Sequence, residues 1–284
     1  MNNEIHTGHL RKMRVHYTSR DEPVFYSLLL DEQQIPLNPL LGQKISLRYK
    51  GQIHCVACGR KTNKSFNQGY CFPCFKSLAA CDSCIISPEK CHFAAGTCRE
   101  PEWAMQHCMQ KHYVYLANSS GIKIGITRGD QLPVRWIDQG AVQALPIYQV
   151  SNRYHSGLLE VIYKQEISDR TQWQRMLKGP AESLDLAADQ HNLSNHFKDQ
   201  LDELARRLPE DAIVPLEQED ITEILYPVIE YPRKIKSFNL DKDPLVEGTL
   251  MGIKGQYLLL DSGVINIRKF TAYEVEFTAY PLNV

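Results

Sequence analysis

Nine cysteines fall between positions 55 and 108, and the 176 residues that follow contain none. Cysteines scattered through a core would not cluster in this way, so these residues share a local purpose. Disulfides are rare in a reducing compartment, where paired cysteines read as metal ligands or catalytic thiols. The run begins Cys55-Val-Ala-Cys58 and, twelve residues on, Cys71-Phe-Pro-Cys74. Two CxxC turns so spaced can present four thiolates tetrahedrally to one Zn²⁺, the closed arrangement of a structural site. Gly59 and Gly69 suit the tight turns beside such ligands.

A second set follows in Cys81-Asp-Ser-Cys84, with Cys91 and Cys98 each six residues on. Four more thiolates predict a second ion. Sequential pairing would use 55/58/71/74 and 81/84/91/98, and interleaved pairing 55/58/81/84 and 71/74/91/98; spacing leaves both open. Cys108 is left over and reads as a buried small hydrophobe. An iron–sulfur cluster is the competing reading, because Cys74, Cys81, Cys84 and Cys91 loosely resemble the spacing in some DNA-repair glycosylases. That choice would strand Cys55 and Cys58. With either metal the site is closed, so its role is structural. Residues 55–110 have little apolar periodicity, and their folding must lean on metal.

The remaining sequence reads as α+β. Residues 1–54 hold β-branched and aromatic runs (VFYSLLL, ISLRYKG) between turn signals. Residues 222–284 return to strands, and the two ends are expected to join in one small β-barrel with the middle inserted. Residues 111–180 read as ββαβα: YVYLA and IKIGIT form a hairpin, a helix follows Pro133, ALPIYQV is a strand, and SGLLEVIYKQEIS is helical by its apolar spacing. Residues 181–221 read as an acidic helical connector. No run of about 18 apolar residues occurs, so no membrane-spanning helix is expected. The first 17 residues lack the apolar segment of a signal peptide, which makes the cytoplasm the expected compartment.

Net charge of −1 conceals an asymmetry. Residues 1–180 carry 22 Lys and Arg against 14 Asp and Glu, residues 181–232 carry 3 against 13, and residues 233–284 carry 7 against 6. A basic part that includes the cysteines is the electrostatic footprint of a nucleic-acid binder.

The series Tyr113-Val-Tyr115, Lys123-Ile-Gly125, Arg135 and Glu160 resembles the GIY-YIG nuclease superfamily over about residues 111–178. The resemblance implies roles for named residues. Tyr115 would act as base or relay, Arg135 would stabilise charge on a phosphodiester, and Glu160 would hold Mg²⁺ or Mn²⁺. Lys123 stands where the superfamily usually has a second tyrosine, and Gln139 replaces a histidine common one helical turn after the arginine. Arg128, Trp136 and Gln139 complete a nucleic-acid-facing set, with Trp136 placed either to stack on a base or to pack in the core. The whole chain also resembles an uncharacterised bacterial family of zinc-containing proteins, on the strings GTCREPEW, KIGITR, RWIDQGA, DRTQWQRML and GIKGQYLL. Two functions follow as expectations. One is a divalent-metal-dependent endonuclease acting on DNA or RNA. The other is an inactive module that binds DNA, RNA or a ribonucleoprotein.

Overall fold

The computed structural model describes residues 4–217 and 220–280. Strands β1 (Glu4–His9), β2 (Arg14–His16), β3 (Phe25–Leu30), β4 (Gln33–Pro36) and β5 (Lys44–Ile53) come first, followed by helices α1 (Phe72–Ser77) and α2 (Pro101–His107). Next are β6 (His112–Asn118), β7 (Ile122–Arg128), α3 (Val134–Asp138), β8 (Gln143–Val150), α4 (Arg153–Tyr163) and α5 (Trp173–Met176). Helices α6 (Leu186–His196) and α7 (Lys198–Arg207) precede the short strands β9 (Ile213–Pro215) and β10 (Thr222–Glu223). Strands β11 (Leu245–Lys254), β12 (Tyr257–Leu260), β13 (Gly263–Asn266) and β14 (Tyr273–Tyr280) complete the described chain. None of these helices is long and apolar enough to cross a membrane.

The chain divides into two units. The first takes in residues up to Lys76, Leu177–Pro180 and residues from Ile224 onward; the second comprises Ser77–Met176 and Ala181–Glu223. The first unit carries a six-stranded sheet in the order β1-β14-β5-β11-β12-β13, with a separate β2-β3-β4 sheet. Strand β14 alternates as a half-buried strand must: Tyr273, Val275 and Phe277 are buried while Glu274 and Glu276 face outward. Lys254 is fully buried in this unit, its ammonium donating to Gly179 O at 3.2 Å and lying over the rings of Tyr226 and Tyr231. Burial pushes its pKa down to about 8.

Strands from both ends share this sheet, but the expected barrel does not close. Closure would require β13 to pair with β1. The outer edge of β13 is instead taken by residues 236–238: Val264 N–H donates to Lys236 O at 2.8 Å and Phe238 N–H to Val264 O at 2.9 Å. At the other end of the sheet, His9 O accepts from Asp31 N–H at 2.9 Å. Both edges are blunted by local chain rather than by each other.

The second unit is built on an antiparallel sheet of order β10-β8-β6-β7, with β9 also on β8. Its elements follow the ββαβα order read from the sequence. Val114, Leu116, Ile124, Leu145, Ile147, Leu159 and Tyr163 form the core. Helix α4 begins at Asn152, whose side chain accepts from His155 N–H at 3.0 Å, a standard N-cap. The stretch expected to be a connector is more than that. Leu186 and Phe197 are buried in the same core, and Leu193, Leu201 and Leu204 pack against it, so α6 and α7 present an apolar stripe to the sheet and their acidic residues to solvent.

The cysteine-rich stretch, expected as one module, is parted between the units at Lys76/Ser77. Its first half is stitched to the large sheet, with His54 N–H donating to Ala272 O at 3.0 Å. Its second half packs on α4, where a Cβ at Gly157 would lie 2.5 Å from Glu89 N. Only glycine admits that approach.

His112 opens β6 fully buried, its Nδ1 2.8 Å from Gln110 O and its Nε2 without a hydrogen-bond partner among the described residues. Burial holds its pKa down to about 4, so the ring is neutral and Nδ1–H is the donor. The unfolded chain takes up this proton near pH 6.5, before the folded chain does. Stability is therefore lost as pH falls from 6.5 to 4, by about 3 kcal/mol at the acid end. The wild-type melting temperature should fall more steeply through this window than that of His112→Gln; parallel curves would remove His112 as the cause.

Candidate functional site

Strand β5 ends just before the first CxxC turn. Cys55 N–H donates to Arg60 O and Gly59 N–H to Cys55 O, both at 2.9 Å, and Gly59 has the left-handed φ of 67° the turn needs. At Gly69 (φ 130°) a Cβ would meet Val56 Cγ1 at 2.6 Å. These two turns and the start of α1 bring the sulfurs of Cys55, Cys58, Cys71 and Cys74 within 4.8 Å of one another. The Cys58–Cys71 Sγ separation is 3.8 Å. A tetrahedron with metal–sulfur bonds of about 2.3 Å has an edge of about 3.8 Å, whereas a disulfide spans about 2 Å.

The protonation of these thiols tells the same story. Burial alone would raise the Cys55 pKa, but N–H groups of Cys71, Cys58 and Ala57 and the Cys58 thiol outweigh it and hold it at about 6. Cys74 is driven far up by burial and by thiols of Cys58, Cys71 and Cys55. Four thiols this close cannot all ionise unless a cation neutralises them. The donor set and spacing therefore fit one soft divalent ion, for which zinc is the common choice.

The second cysteine set lies wholly in the second unit. Cys84, Cys91, Cys98 and Cys108 line a single cavity, and Asp82 and His92 line it too. Cys81 is buried in the adjoining 3₁₀ turn Ala79–Cys81 and does not line that cavity.

A different cavity, of about 240 Å³, gathers most of the remaining singled-out residues. Lys123 and Gly125 on β7, Arg135 and Gln139 from α3 and its C-cap, Arg153 and Glu160 on α4, and Asp169 line it. Tyr115 stands behind Gly125, its cross-strand partner. A Cβ at Gly125 would fall 2.5 Å from Tyr115 Cζ, so this glycine makes room for the phenol. Tyr115 Oη donates to Gln139 Oε1 at 2.9 Å. Burial raises the Tyr115 pKa against the opposing effect of the Arg135 guanidinium. The tyrosine is thus a neutral hydroxyl at physiological pH.

The charges around the cavity are strongly perturbed. Burial first, then the neighbouring Arg135 guanidinium, lowers Lys123 to about 8, against Asp169 and Glu160. Burial raises Glu160, with Lys164 opposing. Lys164 Nζ bridges Glu160 Oε2 at 3.4 Å and Asp169 Oδ2 at 2.9 Å. Perturbed titratable groups converging on a concave surface are the usual mark of a functional site.

Other residues singled out from the sequence lie elsewhere. Trp136 is buried, its ring edge-on to Tyr115 at 5.9 Å, which makes it a core residue supporting the phenol. Arg128 ends β7 and pairs with Asp130 at 3.3 Å; it does not line the cavity. Conversely, Arg153 and Asp169 went unnoticed in the sequence. Arg153 carried a usable signal: it lies seven residues before Glu160, two turns of the same helix, so both project from one face.

Fold and sites together define a two-unit mixed α/β protein with a four-cysteine cluster that could hold a metal in one unit and a cavity lined by cations and carboxylates in the other. The chain belongs to the family described as protein of unknown function (DUF2797), which matches over residues 42–275. No curated protein and no solved structure matches it.

Proposed function

We propose that the second unit binds nucleic acid at the Lys123–Arg135–Glu160 cavity and cleaves a phosphodiester there, while zinc held by Cys55, Cys58, Cys71 and Cys74 fixes the first unit. The supporting observation is that Lys123, Arg135 and Arg153 share one concave wall with Glu160 and Asp169, beside the buried phenol of Tyr115. Three cations in a small cavity attract a phosphate, and guanidinium groups match its oxygens in pairs. The order of Tyr115, Lys123, Gly125, Arg135 and Glu160 along ββαβα also resembles the GIY-YIG nucleases.

In this reading Arg135 and Lys123 hold the phosphate oxygens and stabilise the charge that builds on them. Tyr115, kept neutral by burial and oriented by Gln139, would act as an uncharged hydroxyl behind Gly125 rather than as a phenolate base. Glu160, with Asp169 next to it, supplies the hard carboxylate oxygens that suit Mg²⁺ or Mn²⁺ once Lys164 yields its place. Such an ion would add charge neutralisation at the phosphate.

The test is incubation of the purified full chain with end-labelled single- and double-stranded DNA and RNA, with and without Mg²⁺ or Mn²⁺. Wild type should give discrete products, and Glu160→Ala should lower the rate by about 100-fold or more. Equal cleavage by the two proteins would remove the assignment.

One observation favours a second reading. Glu160 is already ion-paired with Lys164, an arrangement suited to a cavity that grips phosphate without cutting it. The protein would then bind the same substrates without product. Affinity should fall with salt at a log–log slope of about −2 to −3 for three phosphate contacts.

A further inference from the structure

The cysteines of the second unit gather differently from their grouping in the sequence. Cys84 lies in the 3₁₀ turn Ser83–Ile85. Cys91 follows the turn Pro88–Lys90, its N–H donating to Pro88 O at 3.0 Å. Cys108 closes α2, its N–H donating to Ala104 O at 2.7 Å. With Cys98, these separate pieces of chain place four cysteines in the wall of one cavity. Its volume is about 10 Å³. That is the room of a single water-sized sphere, enough for one ion and far too little for an organic ligand. Ala79, Ile85, Phe93, Trp103 and Ala104 make the rest of its wall apolar.

Asp82 and His92 are the competing donors, lying with Cys84 within 4.8 Å. Their polar atoms already have partners, in part each other. Asp82 Oδ1 accepts from Ser83 N–H at 2.6 Å, and Asp82 Oδ2 pairs with Arg99 Nε at 2.9 Å and His92 Nε2 at 3.3 Å. His92 Nδ1 meets Thr97 Oγ1 at 2.8 Å. Arg99 adjoins Cys98 and His92 adjoins Cys91, so Asp82 ties together the loops that carry three of the four thiols.

We infer that Cys84, Cys91, Cys98 and Cys108 form a second thiolate metal centre holding one zinc ion, with Cys108 as fourth ligand and Cys81 outside the ligand set. This goes beyond the phosphodiester reading and does not depend on it. The centre also reaches the other cavity through Arg153, whose N–H donates to Cys108 O at 2.8 Å and whose Nη2 donates to Ile85 O at 2.6 Å. Both ends of that arginine are thereby fixed by loops that the metal would hold.

Metal content of the full chain, purified from zinc-supplemented culture and measured by elemental mass spectrometry, tests this directly. Wild type should carry two zinc ions, Cys108→Ala and Cys74→Ala one each, and Cys81→Ala two. If Cys108→Ala fails to fold, cobalt substitution of the wild type supplies a second readout: thiolate-to-cobalt charge transfer should correspond to eight thiolates around two ions. One ion per wild-type chain, or four thiolates in the cobalt spectrum, would overturn the centre. Loss of an ion from Cys81→Ala, or its retention in a folded Cys108→Ala, would overturn the ligand set. Iron with acid-labile sulfide and a brown colour would overturn the zinc assignment. None of these outcomes depends on nucleic-acid cleavage.

Discussion

Cys58→Ser, or removal of metal by a strong chelator, is expected to release residues 54–76 from the first unit and lower its melting temperature by on the order of 10 °C. The size of the effect follows from what this segment buries. Between His54 and Lys76 the buried residues are Cys55, Gly69 and Cys71, so the segment has no apolar core of its own beyond its ligands. Phe66 packs against Phe72 and Phe75 nearby, with ring centroids 5.5 and 5.6 Å away. Without the ion, four thiols with opposed protonation demands remain in contact, and the loop is left to hydrogen bonds such as Val56 N–H to Gly69 O and Arg268 Nε to Gln68 Oε1. The larger sheet should survive, because β5 remains between β14 and β11. Limited proteolysis should therefore cut within residues 56–70 of the apo protein before anywhere in β5 or β14. An apo protein with unchanged melting and no early cut there would show that the cysteines do not hold this segment through metal.

If the second unit cleaves phosphodiesters as proposed, Arg135→Ala is expected to lower kcat/KM by about 10² to 10³, the usual effect of removing one preorganised donor from a developing anion. Arg135→Lys should recover only part of it, since an ammonium cannot reproduce the two parallel hydrogen bonds of a guanidinium. A further signature separates this role from a structural one. Arg135 lowers the pKa of Lys123, so in Arg135→Ala the Lys123 ammonium should lose its proton at higher pH. The alkaline limb of any pH–rate profile that depends on Lys123 should move upward with it. Cleavage within a few-fold of wild type, with the limb unmoved, would take Arg135 out of the reaction.

Much of the second unit was legible because its signals are local. The NSSG turn between two apolar runs defines the β6–β7 hairpin, and apolar spacing at Leu158, Leu159, Ile162 and Tyr163 defines α4. Once those elements are placed in order, Tyr115, Lys123, Arg135 and Glu160 have few ways to lie other than near one cavity. The contribution of α6 and α7 was obscured by charge, since Leu186, Leu193 and Phe197 are thinly spread among acidic residues. The open first-unit sheet escaped prediction for another reason: residues 236–238 cover β13 through backbone hydrogen bonds, and Lys236-Ser237-Phe238 shows no period that marks a strand. For the cysteines, spacing identified the 55/58/71/74 set that the fold gathers, and left the second set open. CxxC spacing identifies turns, but which turns meet depends on packing far along the chain. The second set is anchored on α4, at Gly157 and Arg153, more than 40 residues beyond Cys108.

The position of β5 between β14 and β11 also sets an order of events at the ribosome. Both of its partners lie some two hundred residues downstream, so β5 emerges with two unpaired edges and waits on the order of 10 to 40 seconds for them at ordinary synthesis rates. The second unit is finished within that interval. During that wait the cysteines just after β5 can already close residues 55–74 on a metal, while the two edges of β5 stay open until β11 and β14 emerge.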